Sequence, residues 1–219
     1  MWSFLSDFYY TNSLIVLFVF LLLILGSKYY YSLSNLRVLF WYCLIAFCQF
    51  LTASLYQMNN EDDYSLINFS INIFVLFEYL IFVYFIYINT RSINIKGFII
   101  LASLLYVIYA LKLWIMDGQI YEHPTFLSLI ESFLIISFSL FFFYETFLKK
   151  LEGDILITES FWVIFSFFLL FSIMTPFLLL IEFYPQLIFR EIYTINNISY
   201  LIFYIFLSYV IICKVKYIT

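Results

Sequence analysis

Seven apolar stretches, each about as long as a lipid bilayer is thick, limit what this 219-residue chain can fold into. An α-helix rises about 1.5 Å per residue, so about 20 apolar residues cross the roughly 30 Å of hydrocarbon in a bilayer. A single helix also satisfies its own backbone hydrogen bonds there. The sequence therefore predicts an all-α, polytopic membrane helical bundle, one integral membrane domain over 1–219 with spans near 9–29, 36–56, 66–88, 97–116, 125–147, 161–181 and 192–213.

Composition supports a membrane protein. Hydrophobic residues make up 66% of the chain and charged residues 11%, whereas a soluble domain carries about 25% charged residues. The three cysteines, Cys43, Cys48 and Cys213, have neither the number nor the spacing of a disulfide framework or a metal site. The sequence also has no basic tail that would suggest nucleic acid as a partner, and the lipid bilayer is the expected environment.

The positions of lysine and arginine predict the orientation. Cytoplasmic loops of membrane proteins are enriched in these residues. Two of them, Lys112 and Arg190, fall on one side of the predicted spans. The other eight fall on the opposite side: Lys28, Arg37, Arg91, Lys96, Lys149, Lys150, Lys214 and Lys216. This asymmetry places the C-terminus in the cytoplasm and the N-terminus outside, which requires an odd number of spans.

The third predicted span contains an acid near its middle. Ionising Glu78 at that depth would cost between about 2.5 and more than 10 kcal/mol. Asn68, Asn72 and Glu78 fall within an arc of about 120° on the helix, so one polar face should look into the bundle. Two interpretations remain open: Glu78 binds a ligand or proton, or it is a protonated structural residue that bonds a neighbouring helix.

The fifth predicted span carries a second polar stripe that includes Glu131. This acid should lie about 9 Å below the outer surface, at a depth similar to that of Lys112 in the fourth span. An ion pair between Lys112 and Glu131 is therefore predicted, the alternative being that Lys112 extends alone toward the headgroups. Glu145, at the cytoplasmic end of the same stripe, is expected to form an exposed i,i+4 pair with Lys149.

The seventh predicted span opens with polar residues in "TINNISY", including Asn197 and Tyr200. Polar groups in a span have little reason to face lipid. Single tyrosines and phenylalanines are not taken as functional signals, because the chain contains 21 and 30 of them and those near span ends fit an interfacial aromatic belt. The candidate ligand-binding or proton-site residues are Glu78, Glu131, Asn68, Asn72, Asn197 and Lys112.

Several chemistries lack the residues that they need. His123 is the only histidine, so neither a zinc hydrolase nor a Ser–His protease site can be assembled. The last span has no lysine for a retinal Schiff base, and no glycine-rich phosphate loop is present. We therefore predict no metal site, no cofactor and no catalytic residue of these types.

The segments "FEYLIFVYFIY", "LIESFLIISFSLFFFYETF", "ITESFWVIFSFFLLFS" and "IYTINNISYLIFYIF" together resemble a family of uncharacterised seven-helix bacterial proteins, over about 72–206. The matching residues are Glu78, Glu131, Phe161, Trp162 and Asn197. The resemblance implies an association with two-component signalling and names no activity.

These features favour a seven-helix sensor or receptor-like accessory protein in the bacterial inner membrane. Its polar interior would recognise a small ligand, lipid or proton. With only "KVKYIT" after the last span, we expect it to signal through a partner such as a membrane-bound sensor kinase. Two alternatives remain: a lysoplasmalogenase-like intramembrane enzyme using paired carboxylates, and a small-solute transporter, which would more typically show glycine- or proline-interrupted helices.

Overall fold

A computed structural model of the chain describes residues 15–22, 24, 37–59, 65–122, 124–148, 159–184 and 198–210. These residues form seven α-helical segments and contain no strand. The segments are α1 (15–22), α2 (Arg37–Asn59), α3 (Ser65–Asn89), α4 (Ile93–Ile115), α5 (Thr125–Leu148), α6 (Glu159–Phe183) and α7 (Ile198–Val210). A short 3-10 helix, Gln119–Tyr121, lies between α4 and α5.

Four of the helices, α3 to α6, are long and apolar enough to cross a membrane. Their ends lie within four residues of the predicted spans. The described apolar parts of α2 and α7, Arg37–Ala53 and Ile198–Val210, are shorter. The structure therefore shows an all-α protein with four candidate membrane spans, and crossing by the other three helices stays a prediction.

Helix α3 lies at the centre of the bundle. It packs against α2, α4, α5 and α6, and its Glu78 is hydrogen-bonded to α7. Phe82 shows this position most clearly, because its ring stacks on Phe167 of α6 at 4.0 Å and also lies 4.8 Å from the ring of Tyr42 in α2 and 5.7 Å from that of Phe203 in α7. Helix α3 therefore contacts α2, α4, α5, α6 and α7.

The link between α3 and α4 is short and fixed to two other helices. The Arg91 N–H donates to Glu145 Oε2 of α5 at 2.9 Å, and Ser160 Oγ of α6 donates to Asn89 Oδ1 at 2.6 Å. Glu145 is only 7% exposed, so the expectation of an exposed position was wrong. Lys149, its predicted partner, lies outside the described residues.

Helix α4 is peripheral. Only 17% of the most apolar 18-residue stretch of α4 is buried within the protein. One face of the helix carries four side chains that are each more than half exposed: Leu101, Leu104, Leu105 and Ile108. In a bilayer this face contacts acyl chains, which are as apolar as leucine itself. The inner face of α4 carries Tyr106, which is buried.

Candidate functional site

Both carboxyl oxygens of Glu78 are hydrogen-bonded to other helices. The side chain is 1% exposed. Tyr42 of α2 donates its hydroxyl to Oε1 at 2.8 Å, and Tyr200 of α7 donates to Oε2 at 2.9 Å. Two phenols from different helices therefore provide the partners that a carboxyl group needs when it is removed from water.

A fourth residue extends this network. The hydroxyls of Tyr42 and Tyr204 are 3.2 Å apart. Since a phenol carries one proton and Tyr42 donates its proton to Glu78, Tyr204 is the donor in this contact. Tyr200 and Tyr204 lie on one face of α7 because they are four residues apart, and their ring centroids are 6.3 Å apart. We call Tyr42, Glu78, Tyr200 and Tyr204 the Glu78 junction.

Glu131 of α5 is buried to the same extent as Glu78 but has different surroundings. It is 1% exposed, and its Oε1 atom has no hydrogen-bond partner among the described residues. Glu131 lies on α5, which packs directly against α3, the helix that carries Glu78. Glu131 therefore faces the protein interior and keeps one acceptor that the described residues do not use.

Two tyrosines lie on the side of α3 that faces α4 and α5. Tyr79 and Tyr106 have ring centroids 4.1 Å apart. The Tyr79 hydroxyl donates to Ser103 Oγ at 3.0 Å, whereas the Tyr106 hydroxyl is buried and has no partner among the described residues. Tyr79 lies on α3 and Tyr106 on α4, and both helices pack against α5, which carries Glu131. We call Glu131, Tyr79, Tyr106 and Ser103 the Glu131 cluster.

Neighbouring residues of α3 thus serve two different sites. Glu78 bonds residues of α2 and α7, whereas Tyr79 belongs to the Glu131 cluster and bonds Ser103 of α4. Successive helical residues diverge by about 100°, which explains how one helix reaches both sites. The interior therefore contains two polar sites, the Glu78 junction and the Glu131 cluster, which lie on different sides of α3.

Asn68 and Asn72 hold a loop. The Asn72 amide nitrogen donates to the carbonyls of Asn68, Ile120 and Glu122 at 3.1, 3.0 and 2.8 Å, and Trp114 Nε1 donates to its Oδ1 at 3.2 Å. Asn68 Nδ2 donates to the Tyr121 carbonyl at 3.1 Å. The two side chains share the polar face of α3 that the sequence predicts, but they bond the loop after α4 and not Glu78.

The structure does not bring Lys112 and Glu131 together. Lys112 is exposed, and Glu131 is buried, with one oxygen that no described residue bonds. The predicted ion pair is therefore not formed, because a lysine on the outward side of α4 reaches water more easily than a buried acid. Asn197 lies outside the described residues, so its predicted role is not tested.

Sequence reasoning missed the tyrosine partners. Tyr42, Tyr79, Tyr106 and Tyr204 were discounted with the other aromatic residues, although each is fully or almost fully buried. A usable signal was present: tyrosines of an interfacial belt lie at span ends, whereas Tyr79 and Tyr106 lie near the middle of α3 and α4. The spacing of Tyr200 and Tyr204 was a second signal.

Among the described residues, no group of three or more His, Cys, Asp or Glu side chains could hold a metal ion. No protein-family model matches the sequence, and no curated protein or solved structure is significantly similar to it. Function is therefore inferred from the chain's own residues.

Proposed function

We propose that this protein is a sensor or receptor-like accessory protein of the bacterial inner membrane, with seven spans, an outer N-terminus and a cytoplasmic C-terminus. Its polar interior would respond to a small ligand, lipid or proton and signal through a partner such as a membrane-bound sensor kinase. The observation that carries the proposal is the Glu78 junction, where one acid is bonded to two other helices.

The junction gives a physical basis for a response. A carboxylate accepts hydrogen bonds only, whereas a protonated carboxyl group also donates one. A change in the charge or bonding of Glu78 therefore alters its contacts with Tyr42 and Tyr200 together. Those residues belong to α2 and α7, so the relative positions of three helices depend on one group.

The described links between helices also favour a partner over an internal output domain. Residues 90–92 join α3 to α4, and residues 116–122 follow α4. Neither link is long enough to fold independently. A signal from the described helices would leave through their surfaces or ends, where another membrane protein can bind.

The test uses tagged protein recovered from native membranes with its bound proteins. Glu78→Gln keeps the shape of the side chain and removes its charge. We expect the variant to remain monodisperse in detergent and to change the recovery of a specific partner several-fold. Glu182→Gln, at an exposed position on α6, is the matched control and should leave recovery unchanged. A folded Glu78→Gln protein with unchanged recovery would contradict the proposal.

The enzyme alternative is favoured by one observation: Oε1 of buried Glu131 has no hydrogen-bond partner among the residues that the structure describes. A general acid or base needs an atom free to reach the reacting group. Incubation of the purified protein with lysolipid separates the two functions. Turnover that is lost in Glu131→Gln would support a lipid-modifying enzyme. Solute uptake into proteoliposomes would instead support a transporter.

A further inference from the structure

The side chains of the Glu78 junction form an unbroken chain of hydrogen bonds. Tyr200 Oη lies 2.9 Å from Glu78 Oε2, and Tyr42 Oη lies 2.8 Å from Glu78 Oε1. The chain continues from Tyr42 Oη to Tyr204 Oη over 3.2 Å, which is the longest and therefore the weakest of the three contacts. Both ends of the chain lie on α7, so it connects that helix to α3 and α2.

No positive side chain in the described interior balances a carboxylate at Glu78. Among the described residues, no lysine, arginine or histidine is buried. The other buried titratable groups on α3 and on the helices around it are phenols, a thiol and acids: Tyr42, Cys43, Tyr79, Tyr106, Glu131, Glu145 and Tyr204, with none from the described part of α6. Each of these groups is neutral or negative. Within the described part of the chain, a charged Glu78 therefore depends on its phenol donors.

The junction offers no free atom to a ligand larger than a proton. Both carboxyl oxygens of Glu78 already have protein partners, and so does the hydroxyl of Tyr204. A metal ion or an organic ligand would have to displace one of these bonds, and the displaced buried group would lose its partner at a cost. A proton adds no volume and displaces no side chain.

The chain can form the same three bonds with Glu78 charged or neutral. In the charged state the carboxylate accepts from Tyr42 and Tyr200, and Tyr204 donates to Tyr42. When Oε1 gains a proton, the new O–H donates to Tyr42 Oη, and Tyr42 turns its own proton to Tyr204 Oη. Tyr204 then turns its proton away from Tyr42, while Tyr200 donates to Oε2 in both states. One added proton therefore reverses two bonds and keeps their number.

We propose that the Glu78 junction is a reversible proton-binding site, in which Glu78 gains a proton as Tyr42 and Tyr204 reverse their hydrogen bonds. This inference rests on the proposed function, since it names the proton as the ligand of the polar interior. Tyr200 is partly exposed, whereas the other three side chains are at most 1% exposed, so the junction is accessible at the Tyr200 end. Protonation weakens the contacts with α2 and α7 together, because hydrogen bonds to a charged group are about twice as strong as neutral ones.

The test is infrared difference spectroscopy of the purified full chain in lipid nanodiscs, recorded as the pH is changed. A protonated carboxyl group absorbs through a C=O stretch that a carboxylate lacks. We expect a carboxyl band that appears reversibly as the pH falls and is lost in Glu78→Gln. Glu131→Gln, which removes the other deeply buried acid, should retain this band.

A second pair of variants tests the bonding. Tyr200→Phe removes the donor to Oε2 and should raise the proton affinity of Glu78 by about tenfold, because the lost bond is stronger to a charged carboxylate than to a neutral carboxyl group. Tyr84→Phe, on an exposed face of α3, should leave the titration unchanged. If Glu78→Gln fails to fold, this comparison assigns the band, because Tyr200 is bonded directly to Glu78.

The inference would be overturned if no carboxyl band titrates while the protein stays folded, or if the titrating band is lost in Glu131→Gln but not in Glu78→Gln. Equal titrations of Tyr200→Phe and Tyr84→Phe would also overturn it. Because the nanodisc assay contains no partner, its failure leaves the partner-recovery test intact, and failure of partner recovery leaves the titration result intact.

Discussion

Glu78 shows how a residue that lipid would reject is accommodated in an apolar helix. A charged carboxyl group at the bilayer centre costs about 2.5 kcal/mol or more. Tyr42 and Tyr200 offset part of this cost, because each donates a hydrogen bond to a different carboxyl oxygen. Glu131 is equally buried, but its Oε1 atom has no hydrogen-bond partner in the described part of the chain. Hydrogen bonds of the first acid thus connect three helices, whereas the second keeps one oxygen that the described residues do not use.

The two phenols of the Glu78 junction should contribute unequally to stability. Tyr42→Phe removes the donor to Glu78 and also the acceptor for Tyr204, whereas Tyr200→Phe removes one donor. Hydrogen bonds between membrane helices are worth about 0.6 kcal/mol on average and up to about 1.7. We expect Tyr42→Phe to lower the free energy of unfolding by about 1–2 kcal/mol and Tyr200→Phe by about half as much.

Reversible unfolding in mixed detergent measures this difference. Tyr84→Phe, on an exposed face of α3, removes the same hydroxyl without a buried bond and should be neutral. Equal stability of Tyr42→Phe and Tyr84→Phe would show that the phenol of Tyr42 does not hold Glu78.

Residue chemistry could be predicted from the sequence where an acid interrupts an apolar run, as at Glu78 and Glu131. Partners could not be predicted, because they depend on which helices are adjacent. Tyr42 and Glu78 are 36 residues apart, and Tyr200 and Glu78 are 122 residues apart. Lys112 illustrates the same limit: the sequence predicts a depth similar to that of Glu131, but Lys112 lies on an exposed face of α4.

At the level of elements, α3 and α4 form a hairpin whose two ends are fixed by buried polar side chains. At one end Glu145 accepts from the Arg91 N–H. At the other, Asn72 donates to two carbonyls of the loop after α4 and accepts from Trp114. Gly118 in that loop has φ 69°, which glycine adopts without strain. Tyr106 lies on α4 between these two ends and is buried.

Removing the Asn72 amide should loosen this loop. Asn72→Ala leaves the Ile120 and Glu122 carbonyls and the Trp114 N–H without their partner. We expect backbone amides of residues 117–122 to exchange with solvent about tenfold faster, a change equivalent to about 1.4 kcal/mol. Hydrogen–deuterium exchange followed by mass spectrometry measures this rate.

Asn68→Ala is the graded control, because its side chain makes one bond to the same loop. Its effect should be smaller than that of Asn72→Ala and should centre on residues near Tyr121. Unchanged exchange in Asn72→Ala would mean that other contacts fix the loop.

Helix boundaries were predictable because bilayer thickness sets the length of an apolar run. The predicted 66–88 and 125–147 became Ser65–Asn89 and Thr125–Leu148. The start of α4 was missed by four residues: it begins at Ile93, and its first turn contains Asn94 and Lys96. Helices continue beyond hydrocarbon into the interface, where polar side chains are tolerated; Lys96 lies 4.9 Å from the centre of the Tyr87 ring.

At the scale of the whole molecule, the described helices establish an all-α protein with four candidate spans, and the orientation depends on the charge asymmetry of the sequence. If all seven predicted segments cross the bilayer with the N-terminus outside, the link at 90–92 is cytoplasmic and the loop at 116–122 is external. These two links flank α4, so labelling them also tests whether α4 spans the membrane.

Single cysteines in otherwise cysteine-free protein, with Cys43, Cys48 and Cys213 replaced by serine, provide the measurement. Asp117→Cys in the outer loop should react with a membrane-impermeant maleimide on intact cells or spheroplasts. Ile93→Cys, at a position 84% exposed, should react only after the membrane is permeabilised. Both cysteines are accessible to solvent, so only sidedness distinguishes them. Reversed labelling would invert the orientation, and labelling of both from outside would mean that α4 does not cross the bilayer.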